Sequence, residues 1–423
     1  MQTESDSNGL ITRDTCRSCN SSKIIDILNL GDFYLSDFIN IKDKVMIPKY
    51  PLHLLICAEC NLVQLKHSCP IRELYNNHYG YRSGINNSMK FELKDVVVKT
   101  KKLVRINDLD IVIDVGANDG TLLSYYPKNL IRVGVEPVEK FASEIKKNAS
   151  IVITDFFSLK SVSRLVPGIL KSKAKIITAI SMFYDLDDPN KFVSDIAQIL
   201  DDNGVFVIQQ NYLVGMLQQN AFDNIVHEHL VYYSLTSLEK LLKRHKLSVF
   251  DVETRKINGG SFRTYICHSK NTSKTRTKNV FNMLELEKKL RLGSKHSYQI
   301  FIQSIINIKK RLITLIKTEV KNGKKIYLYG ASTRGNTLLQ FCKLDDKLIS
   351  AAVERNSEKW GKKIASVNIP IISEEQARKD KPDYMLVLPW FFKEEIMRRE
   401  KKYLENGGQL IFPLPELEVV SRS

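Results

Sequence analysis

Three consecutive polar residues in the middle of the chain, His227, Glu228 and His229, are of types that bind metals or transfer protons. Histidine is a suitable general base because its unperturbed pKa lies near neutral pH. The triplet alone does not distinguish a metal site, a catalytic base with a helper, and ordinary polar residues at the boundary of an element. The rest of the chain has to decide which chemistry is available there.

Two pairs of cysteines near the N-terminus have the spacing of zinc knuckles. In "CRSC" and "CAEC" the two cysteines are three positions apart, so one turn can direct both sulfurs at the same point. The pairs supply four thiolates for a tetrahedral Zn²⁺ ion and leave no open coordination position, so the predicted zinc is structural. Four unrelated cysteines, or a redox pair, are less consistent with this spacing. The predicted zinc ligands are Cys16, Cys19, Cys57 and Cys60.

The stretch "IVIDVGANDGTLLSYY" predicts a buried parallel strand, a glycine turn and the start of a helix. Such a turn presents backbone N–H groups to a cofactor, although the spacing here is not the full GxGxxG pattern. The next strand, "IRVGVEP", ends at Glu136, 22 positions after Asp114. A carboxylate there suits a ribose diol of either NAD or S-adenosylmethionine. The turn residues that we expect to contact the cofactor are Gly116, Asn118 and Gly120, beside Asp114.

Three further strands extend this predicted sheet. "SIVITDFFS" is the third strand, and it ends in Asp155 and Phe156, an acid and an aromatic ring that suit the amine and the flat face of adenine. "KIITAIS" and "NGVFVIQQNY" are read as the fourth and fifth strands. Alternation of strands and helices predicts an α/β fold with a largely parallel sheet.

A second strand–turn–helix unit, "KKIYLYGASTRGNTLLQFC", begins after a long helical segment over residues 279–320. Its glycine turn and helix N-terminus suit the diphosphate of a nucleotide. The lysine of a P-loop is absent, which disfavours ATP hydrolysis. A tryptophan that follows a later strand has a ring that could pack against a base or sugar. The predicted substrate-binding residues of this unit are Gly330, Ser332, Thr333, Arg334 and Trp390.

The 423 residues predict two to three domains of ordinary globular composition. A net charge of +17 fits a nucleic acid, a membrane surface or an anionic substrate as partner, but the lysines are spread along the chain. No recognition helix or aromatic RNA-binding signature is present, so no nucleic-acid partner is expected. Neither a membrane span nor a signal region is predicted. The uneven distribution of the seven cysteines is typical of the reducing cytoplasm, where we expect this protein.

The motifs occur in an order that resembles one family, the sugar C-methyltransferases of deoxysugar biosynthesis. The similar features are "CRSC…CAEC", "YRSG", "DVGANDG", "HEH", "NGGSFR" and "GASTRGN". The resemblance implies a zinc-binding domain over residues 1–72 and a class I S-adenosylmethionine-dependent methyltransferase domain over residues 73–295, with a helical connector following. It also implies a C-terminal Rossmann-like domain over residues 296–423 that holds the nucleotide of the substrate.

The resemblance also implies roles for individual residues. His229 matches the proposed base of the family, Glu228 matches its acidic neighbour, and His227 is expected to support them. The family often has tyrosine directly before this triplet, whereas this chain has Val226, so the role of that hydroxyl is lost or moved. The region that stabilises the enolate oxygen contains Tyr79 and Tyr81, and the region that borders the sugar contains Asn258, Gly259 and Arg263.

Transfer of a methyl group to carbon requires a carbon nucleophile, and a sugar C–H becomes acidic only beside a carbonyl group. Together with the resemblance, this requirement implies methylation of carbon 3 of a nucleotide-linked 4-keto-6-deoxy sugar, through an enolate. The product would be a branched-chain sugar of a surface polysaccharide, such as lipopolysaccharide, or of a natural product. The alternative is an NAD-dependent sugar-nucleotide oxidoreductase, suggested by two Rossmann-like units. The sugar, its carrier and the oligomeric state are left open.

Overall fold

The computed structural model of this chain describes residues 9–74 and 81–421. Its strands form an N-terminal sheet, a central sheet and a C-terminal sheet, together with a small two-stranded ribbon. The elements of the N-terminal region are β1 (Ile11–Thr12), β2 (Ile24–Tyr34), β3 (Phe38–Asn40), β4 (Lys49–Cys57), β5 (Val63–Leu65), β6 (His67–Ser68) and α1 (Ile71–Leu74).

The central region alternates strands and helices as the sequence predicts. Its elements are α2 (Asn87–Lys101), β7 (Ile111–Val115), β8 (Ile131–Val135), α3 (Ala142–Ile145), β9 (Ile151–Ile153), α4 (Leu159–Leu165), β10 (Ala174–Ile180), α5 (Pro189–Ile199), β11 (Leu200–Asn211), α6 (Leu213–Gln218), β12 (Val231–Tyr232), α7 (Leu235–Arg244), β13 (Leu247–Arg255), β14 (Ser261–His268), α8 (Lys278–Lys289) and α9 (Lys295–Lys321).

The central sheet has the strand order β13-β14-β11-β10-β7-β8-β9. β14 is antiparallel to both of its neighbours, and the remaining pairs are parallel. The strand order reverses between β7 and β10, so their carboxyl ends open a crevice there. This crevice is where a doubly wound sheet binds its ligand, and it contains the glycine turn that follows β7.

The C-terminal region forms a second doubly wound sheet. Its elements are β15 (Ile326–Tyr329), α10 (Thr333–Phe341), β16 (Ala351–Glu354), β17 (Lys362–Ile364), β18 (Ile369–Ser373), α11 (Glu374–Asp380), β19 (Tyr384–Val387), α12 (Lys393–Arg399), α13 (Lys401–Glu405), β20 (Gln409–Phe412) and β21 (Glu418–Val420). The strand order is β21-β20-β19-β15-β16-β18-β17-β3, and the crossover lies between β15 and β19.

Strands are exchanged between the three regions. β3, from the N-terminal region, pairs with β17 at the edge of the C-terminal sheet. β12, from the central region, pairs with β5 and completes the N-terminal sheet in the order β12-β5-β4-β2. Because each exchanged strand satisfies backbone hydrogen bonds of another region, the regions are held in a fixed arrangement around their shared boundary.

One predicted helix is shorter than expected. The segment "TLLSYY" contains only a 3₁₀ turn over Leu123–Tyr125, where the sequence predicts the start of a helix. The residue before a proline is disfavoured in the helical region, and Tyr126, which precedes Pro127, is extended with φ −85° and ψ 145°. The helical segment over 279–320 corresponds to α8 and α9. Among the described helices, none combines the length and apolarity needed to cross a membrane, and α9 is included in that finding.

Candidate active site

The four predicted zinc ligands come together in the N-terminal region. Their sulfur atoms all lie within 4.8 Å of one another, with 3.4 Å between Cys16 and Cys60 and 3.5 Å between Cys19 and Cys57. A tetrahedral zinc ion with Zn–S bonds of about 2.3 Å holds its sulfurs about 3.8 Å apart. The cysteines therefore fit zinc, and a closed set of four thiolates gives it a structural role.

Each cysteine pair is closed by an asparagine in the left-handed conformation. Asn20 has φ +57° and Asn61 has φ +61°. Asn20 donates its backbone N–H to the oxygen of Cys16, and Asn61 donates to the oxygen of Cys57. Glycine adopts this conformation most readily, and among residues with a side chain asparagine is one of the few that adopt it often. The recurring "CxxCN" pattern in the sequence is therefore a local signal for both turns.

The cofactor residues of the central sheet surround the glycine turn. Both carboxylate oxygens of Glu136 accept backbone hydrogen bonds, from Asn118 at 2.9 Å and from Val138 at 3.0 Å. Asp114 accepts a hydrogen bond from Thr178 at 2.6 Å, and burial raises the pKa of Asp114 to about 7. The carboxylates thus flank the turn at the crevice between β7 and β10, where the sequence predicts the adenosine part of the cofactor.

Glycine is required at two positions of this turn. Gly116 has φ +73°, and a side chain there would place its Cβ 2.9 Å from Cγ of Met182. Gly120 has φ +76°, and its Cβ would lie 2.9 Å from the Cα atom of Ile145. Both contacts are shorter than real Cβ contacts allow, so the turn can approach the neighbouring segments only because these residues lack side chains.

The "YRSG" segment lies over the same turn. Asn118 accepts a hydrogen bond from the backbone of Ser83 at 2.9 Å and donates to the oxygen of Tyr81 at 3.0 Å. The backbone of Gly84 donates to Asp119 at 2.6 Å. The structure therefore brings Tyr81 next to the cofactor turn. The other predicted tyrosine, Tyr79, lies outside the described residues.

The predicted adenine contacts lie at the end of β9. Asp155 accepts a hydrogen bond from the backbone of Phe156 at 2.8 Å and lies 3.8 Å from Arg164. The side chain of Phe156 is 46% exposed, so its ring is accessible. Phe157 instead packs on Phe192, with ring centroids 4.8 Å apart. Of the two aromatic residues, Phe156 is the one that a flat ligand can reach.

The two histidines of the triplet have different surroundings. Nδ1 of His229 lies 2.9 Å from the backbone oxygen of Asn224 and must carry the proton of that hydrogen bond. Nε2 is then the unprotonated nitrogen, and no hydrogen bond joins it to any part of the chain that the structure describes. Burial and the charge of Arg334 lower the pKa of His229 to about 3, so the ring is neutral near pH 7. Such a ring is arranged to accept a proton at Nε2.

His227 faces the N-terminal sheet instead. Its Nε2 atom lies 2.9 Å from the backbone oxygen of Tyr50 in β4, and the two rings meet edge to face, with centroids 6.3 Å apart. Burial lowers the pKa of His227 to about 4. These contacts make His227 part of the boundary between the central and N-terminal regions.

The carboxylate of Glu228 does not hold His229. Among residues 9–74 and 81–421, no hydrogen bond or ion pair joins the two side chains, and Nδ1 of His229 is held by a backbone oxygen instead. Burial raises the pKa of Glu228 to about 7. Burial also raises the pKa values of Cys69 and Tyr232, and the negative charge of Glu228 adds to both shifts. Glu228 is therefore a titratable neighbour of His229 near neutral pH.

The C-terminal residues divide into two groups. Ser332 caps α10 by accepting a hydrogen bond from the backbone of Gly335 at 3.1 Å, next to Thr333 and the turn at Gly330, which has φ +87°. Arg334 and Trp390 both donate to Oδ2 of Asp223 in the central region, from Nη2 at 2.8 Å and from the indole N–H at 3.0 Å. The ring of Trp390 is only 3% exposed.

The predicted residues of the "NGGSFR" segment also lie in two different places. The backbone oxygen of Asn258 accepts a hydrogen bond from Arg334 at 2.7 Å. A Cβ on Gly259 would lie 3.1 Å from the ring of Trp390, so this turn packs on the C-terminal region. Arg263 is fully buried in β14 and does not join the other predicted residues. Its guanidinium donates to Gln209, Asp95, Glu253, Tyr265 and Glu92.

Three residues near His229 are absent from the predicted set. The ring of Tyr184, in the segment after β10, lies 4.2 Å from the ring of His229 between centroids. Asn224 holds Nδ1 of His229, and Asp223 holds Arg334. The only sequence signal for the last two is a polar pair five to six positions before His229, which is a common pattern in loops.

The order of the central sheet, its antiparallel β14, and the carboxylate of Glu136 over the turn define a class I S-adenosylmethionine-dependent methyltransferase. The family comparison agrees. Residues 16–75 match the model described as "Putative zinc binding domain", residues 92–252 match "Methyltransferase domain", and residues 256–415 match "C-methyltransferase C-terminal domain". The chain therefore combines a zinc-binding domain, an S-adenosylmethionine-dependent methyltransferase domain and a C-terminal domain that is similar to those of C-methyltransferases. The sequence left NAD and S-adenosylmethionine open as cofactors, and these matches indicate S-adenosylmethionine.

A relative is similar along nearly the whole chain. The C-methyltransferase NovU of Streptomyces niveus is 29% identical over 411 residues, which cover 96% of this chain and 97% of that protein. A methyltransferase structure from Clostridium acetobutylicum is 13% identical and covers 42% of this chain and 92% of its own, with a TM-score of 0.32. The N-methyltransferase NodS of Bradyrhizobium japonicum is 9% identical and covers 43% and 98%, with a TM-score of 0.32.

Proposed function

We propose that this C-methyltransferase methylates carbon 3 of a nucleotide-linked 4-keto-6-deoxy sugar and uses His229 as the general base. The observation that carries the proposal is the fixed tautomer of His229: Asn224 holds Nδ1, and Nε2 has no hydrogen-bond partner among the described residues. A base of this kind is needed because carbon 3 must lose a proton before it can attack a methyl group. The resulting branched-chain sugar would serve a surface polysaccharide or a natural product.

S-Adenosylmethionine, when bound, supplies an electrophilic methyl group at its sulfonium. Glu136 would accept the ribose hydroxyls, the glycine turn would hold the remainder of the cofactor, and Asp155 and Phe156 would contact the adenine. Asp114 supports the turn from the end of β7, where burial raises its pKa to about 7. These residues orient the cofactor at the crevice between β7 and β10.

His229 would take the proton of carbon 3 at Nε2, and the electron pair of the broken C–H bond would pass into the enolate of the 4-keto group. Carbon 3 of that enolate would then be the nucleophile for the methyl group that S-adenosylmethionine supplies. The hydroxyl of Tyr81 is a candidate donor to the enolate oxygen, and Tyr79 is a second candidate for the same role. General base catalysis contributes about 10²–10⁴-fold, so orientation and enolate stabilisation must supply the rest.

The N-terminus of α10 would bind the diphosphate of the substrate. Backbone N–H groups at a helix N-terminus attract anions, and Ser332, Thr333 and the turn at Gly330 lie there. Asn258 faces the same region through its contact with Arg334. With this role, the C-terminal domain over residues 296–423 binds the carrier nucleotide, next to domains over 1–72 and 73–295.

The test is incubation with methyl-labelled S-adenosylmethionine and a panel of nucleotide-linked 4-keto-6-deoxy sugars, followed by mass spectrometry and NMR of the products. We expect the label on carbon 3. A second assay in D₂O without S-adenosylmethionine should show hydrogen exchange at carbon 3, because the base acts before methyl transfer. His229→Ala should lose both activities and still bind S-adenosylhomocysteine, whereas His296→Ala, an exposed control, should keep both. Label on oxygen, or exchange retained by His229→Ala, would contradict the proposal.

A further inference from the structure

The segment over residues 222–225, which we call the docking segment, connects the base to the C-terminal region. Its Asp223 is 1% exposed and accepts hydrogen bonds from two C-terminal residues on the same oxygen, Oδ2. Arg334 donates through Nε at 3.1 Å and Nη2 at 2.8 Å, and Trp390 donates its indole N–H at 3.0 Å. A buried carboxylate with a guanidinium partner is a directional contact, so it fixes the position of this segment.

Further contacts from α10 hold the same segment. The hydroxyl of Thr337 donates to the backbone oxygen of Ile225 at 3.0 Å, and the rings of Phe222 and Phe341 lie 4.9 Å apart. The docking segment therefore takes its position from a helix that is more than 100 positions away in sequence. Its own short 3₁₀ turn, over Phe222–Asn224, is too small to define that position alone.

The opposite side of the docking segment faces the base. The backbone oxygen of Asn224 accepts hydrogen bonds from Nδ1 of His229 at 2.9 Å and from the hydroxyl of Tyr232 at 3.3 Å. The side-chain oxygen of Asn224 accepts a hydrogen bond from Asn211 at 2.9 Å, at the end of β11. The backbone oxygen of Asn224 thus accepts the hydrogen bond of His229, and Asn224 directly follows Asp223, which the C-terminal region holds.

We infer that Asp223, Arg334 and Trp390 are positioning residues through which the C-terminal region fixes the tautomer of His229. The inference rests on the proposed role of His229 as the base. A neutral histidine exchanges between two tautomers unless one ring nitrogen has a fixed partner, and only the tautomer with Nε2 unprotonated can take the proton of the substrate. The fixed partner is the oxygen of Asn224, and the contacts of Asp223 hold that oxygen in place.

This arrangement links substrate recognition to the base. Arg334 directly follows Ser332 and Thr333, where we place the diphosphate of the substrate, and it extends from the first turn of α10 to the docking segment. The helix that would hold the nucleotide therefore also holds the segment that orients the base. Arg334 accordingly acts between the two sites, and its guanidinium is already engaged by Asp223 and by the oxygen of Asn258.

The test compares Asp223→Asn and Arg334→Lys with Gln340→Ala in the full chain. Gln340 lies on the same helix, α10, but pairs with the backbone of Tyr34 at 2.8 and 3.0 Å, so it joins the C-terminal region to the N-terminal one and leaves the docking segment intact. For Asp223→Asn we expect kcat to fall about tenfold or more, because wrong tautomers reduce general base catalysis strongly. The KM for S-adenosylmethionine should remain unchanged, Arg334→Lys should retain part of kcat, and Gln340→Ala should behave like the wild type.

A second measurement needs no substrate. Histidine labelled with ¹⁵N reports by NMR which ring nitrogen carries the proton, and His229→Gln assigns the signal. The wild type and Gln340→Ala should show Nδ1 protonated, and Asp223→Asn should show a mixture. An unchanged tautomer in Asp223→Asn, or a rise in the KM of the sugar nucleotide with kcat retained, would overturn the inference. If no sugar nucleotide is methylated by the wild type, the proposed function fails, while the NMR result still decides whether these residues position His229.

Discussion

The ring of Tyr184 lies against the ring of His229, with centroids 4.2 Å apart and planes inclined by 58°. The tyrosine hydroxyl is directed to Ser181, whose hydrogen bond opposes the large rise that burial causes in the pKa of Tyr184. Packing on one side and the Asn224 oxygen at Nδ1 together restrict the orientation of the imidazole. The contact also places an aromatic hydroxyl near a triplet that follows Val226, where the family often has tyrosine.

We therefore expect Tyr184→Ala to lower kcat about tenfold, because the imidazole loses the contact that restrains its rotation. Tyr184→Phe keeps the ring and should retain most of the activity. Steady-state kinetics of both variants with the same sugar nucleotide measure the difference. Equal losses in the two variants would mean that the hydroxyl, and not the ring, is the important group.

Activity should depend on the ionisation of Glu228. Burial raises the pKa of Glu228 from 4.5 to about 7, whereas the pKa of His229 is lowered to about 3, so His229 stays neutral across the range in which Glu228 titrates. With His229 as the proposed base, the carboxylate above about pH 7 should favour the imidazolium that proton removal creates, and below that pH this support should be lost. We predict an acidic limb in kcat near pH 7 that is absent in Glu228→Gln. The exposed control Glu285→Gln should keep the limb, and its persistence in Glu228→Gln would assign it to another group.

His227 should make folding stability depend on pH. Its pKa is lowered from 6.5 to about 4 in the folded protein, so between these values the unfolded chain binds a proton that the folded chain does not. This contribution to the free energy of unfolding is present above pH 6.5 and is lost as the pH falls towards 4. It amounts to about 3 kcal/mol. Urea unfolding at a series of pH values should show that the free energy of unfolding falls less with decreasing pH in His227→Gln than in the wild type. The glutamine of this variant can still donate a hydrogen bond to Tyr50. Parallel pH profiles would contradict the prediction.

Removal of zinc should affect more than the N-terminal sheet. Arg17, within the first cysteine pair, donates to Asp187 at 3.2 Å in the segment that also carries Tyr184. Structural zinc sites contribute directly to folding stability. We expect about one zinc per chain by elemental analysis, and lower zinc content and a lower Tm in Cys57→Ser. The control Cys267→Ser, which alters a cysteine in β14, should keep its zinc.

Gly116 offers a test of the cofactor turn with a matched control. Gly116→Ala combines a positive φ of 73° with a 2.9 Å contact to Met182, whereas Gly361→Ala has φ +75° and no atom within 4 Å of the added carbon. Strain from φ costs about 1 kcal/mol in both variants. Only Gly116→Ala should also weaken binding of S-adenosylhomocysteine, by about tenfold or more in calorimetric titration. Unchanged affinity would place the cofactor elsewhere.

The sequence alone determines the features that depend on neighbouring residues. The spacing of the cysteine pairs, each followed by an asparagine that can adopt a left-handed turn, predicts the zinc ligands. Runs of apolar residues that end in glycine turns predict both βα units and the carboxylate of Glu136. These signals are local because one turn or one strand end is enough to produce them.

Tertiary structure decides the partners of His229, the proposed base. Asp223 meets Arg334 across 111 positions of sequence, and no periodicity or spacing records such a contact. The sequence suggests Glu228 as the partner of His229, but the backbone direction of the docking segment gives that place to Asn224. The resemblance places Arg263 beside the sugar, yet the pairing of β14 between β11 and β13 buries its side chain among carboxylates. The physical reason is the same in each case, because a side chain's partner depends on which distant elements pack against it.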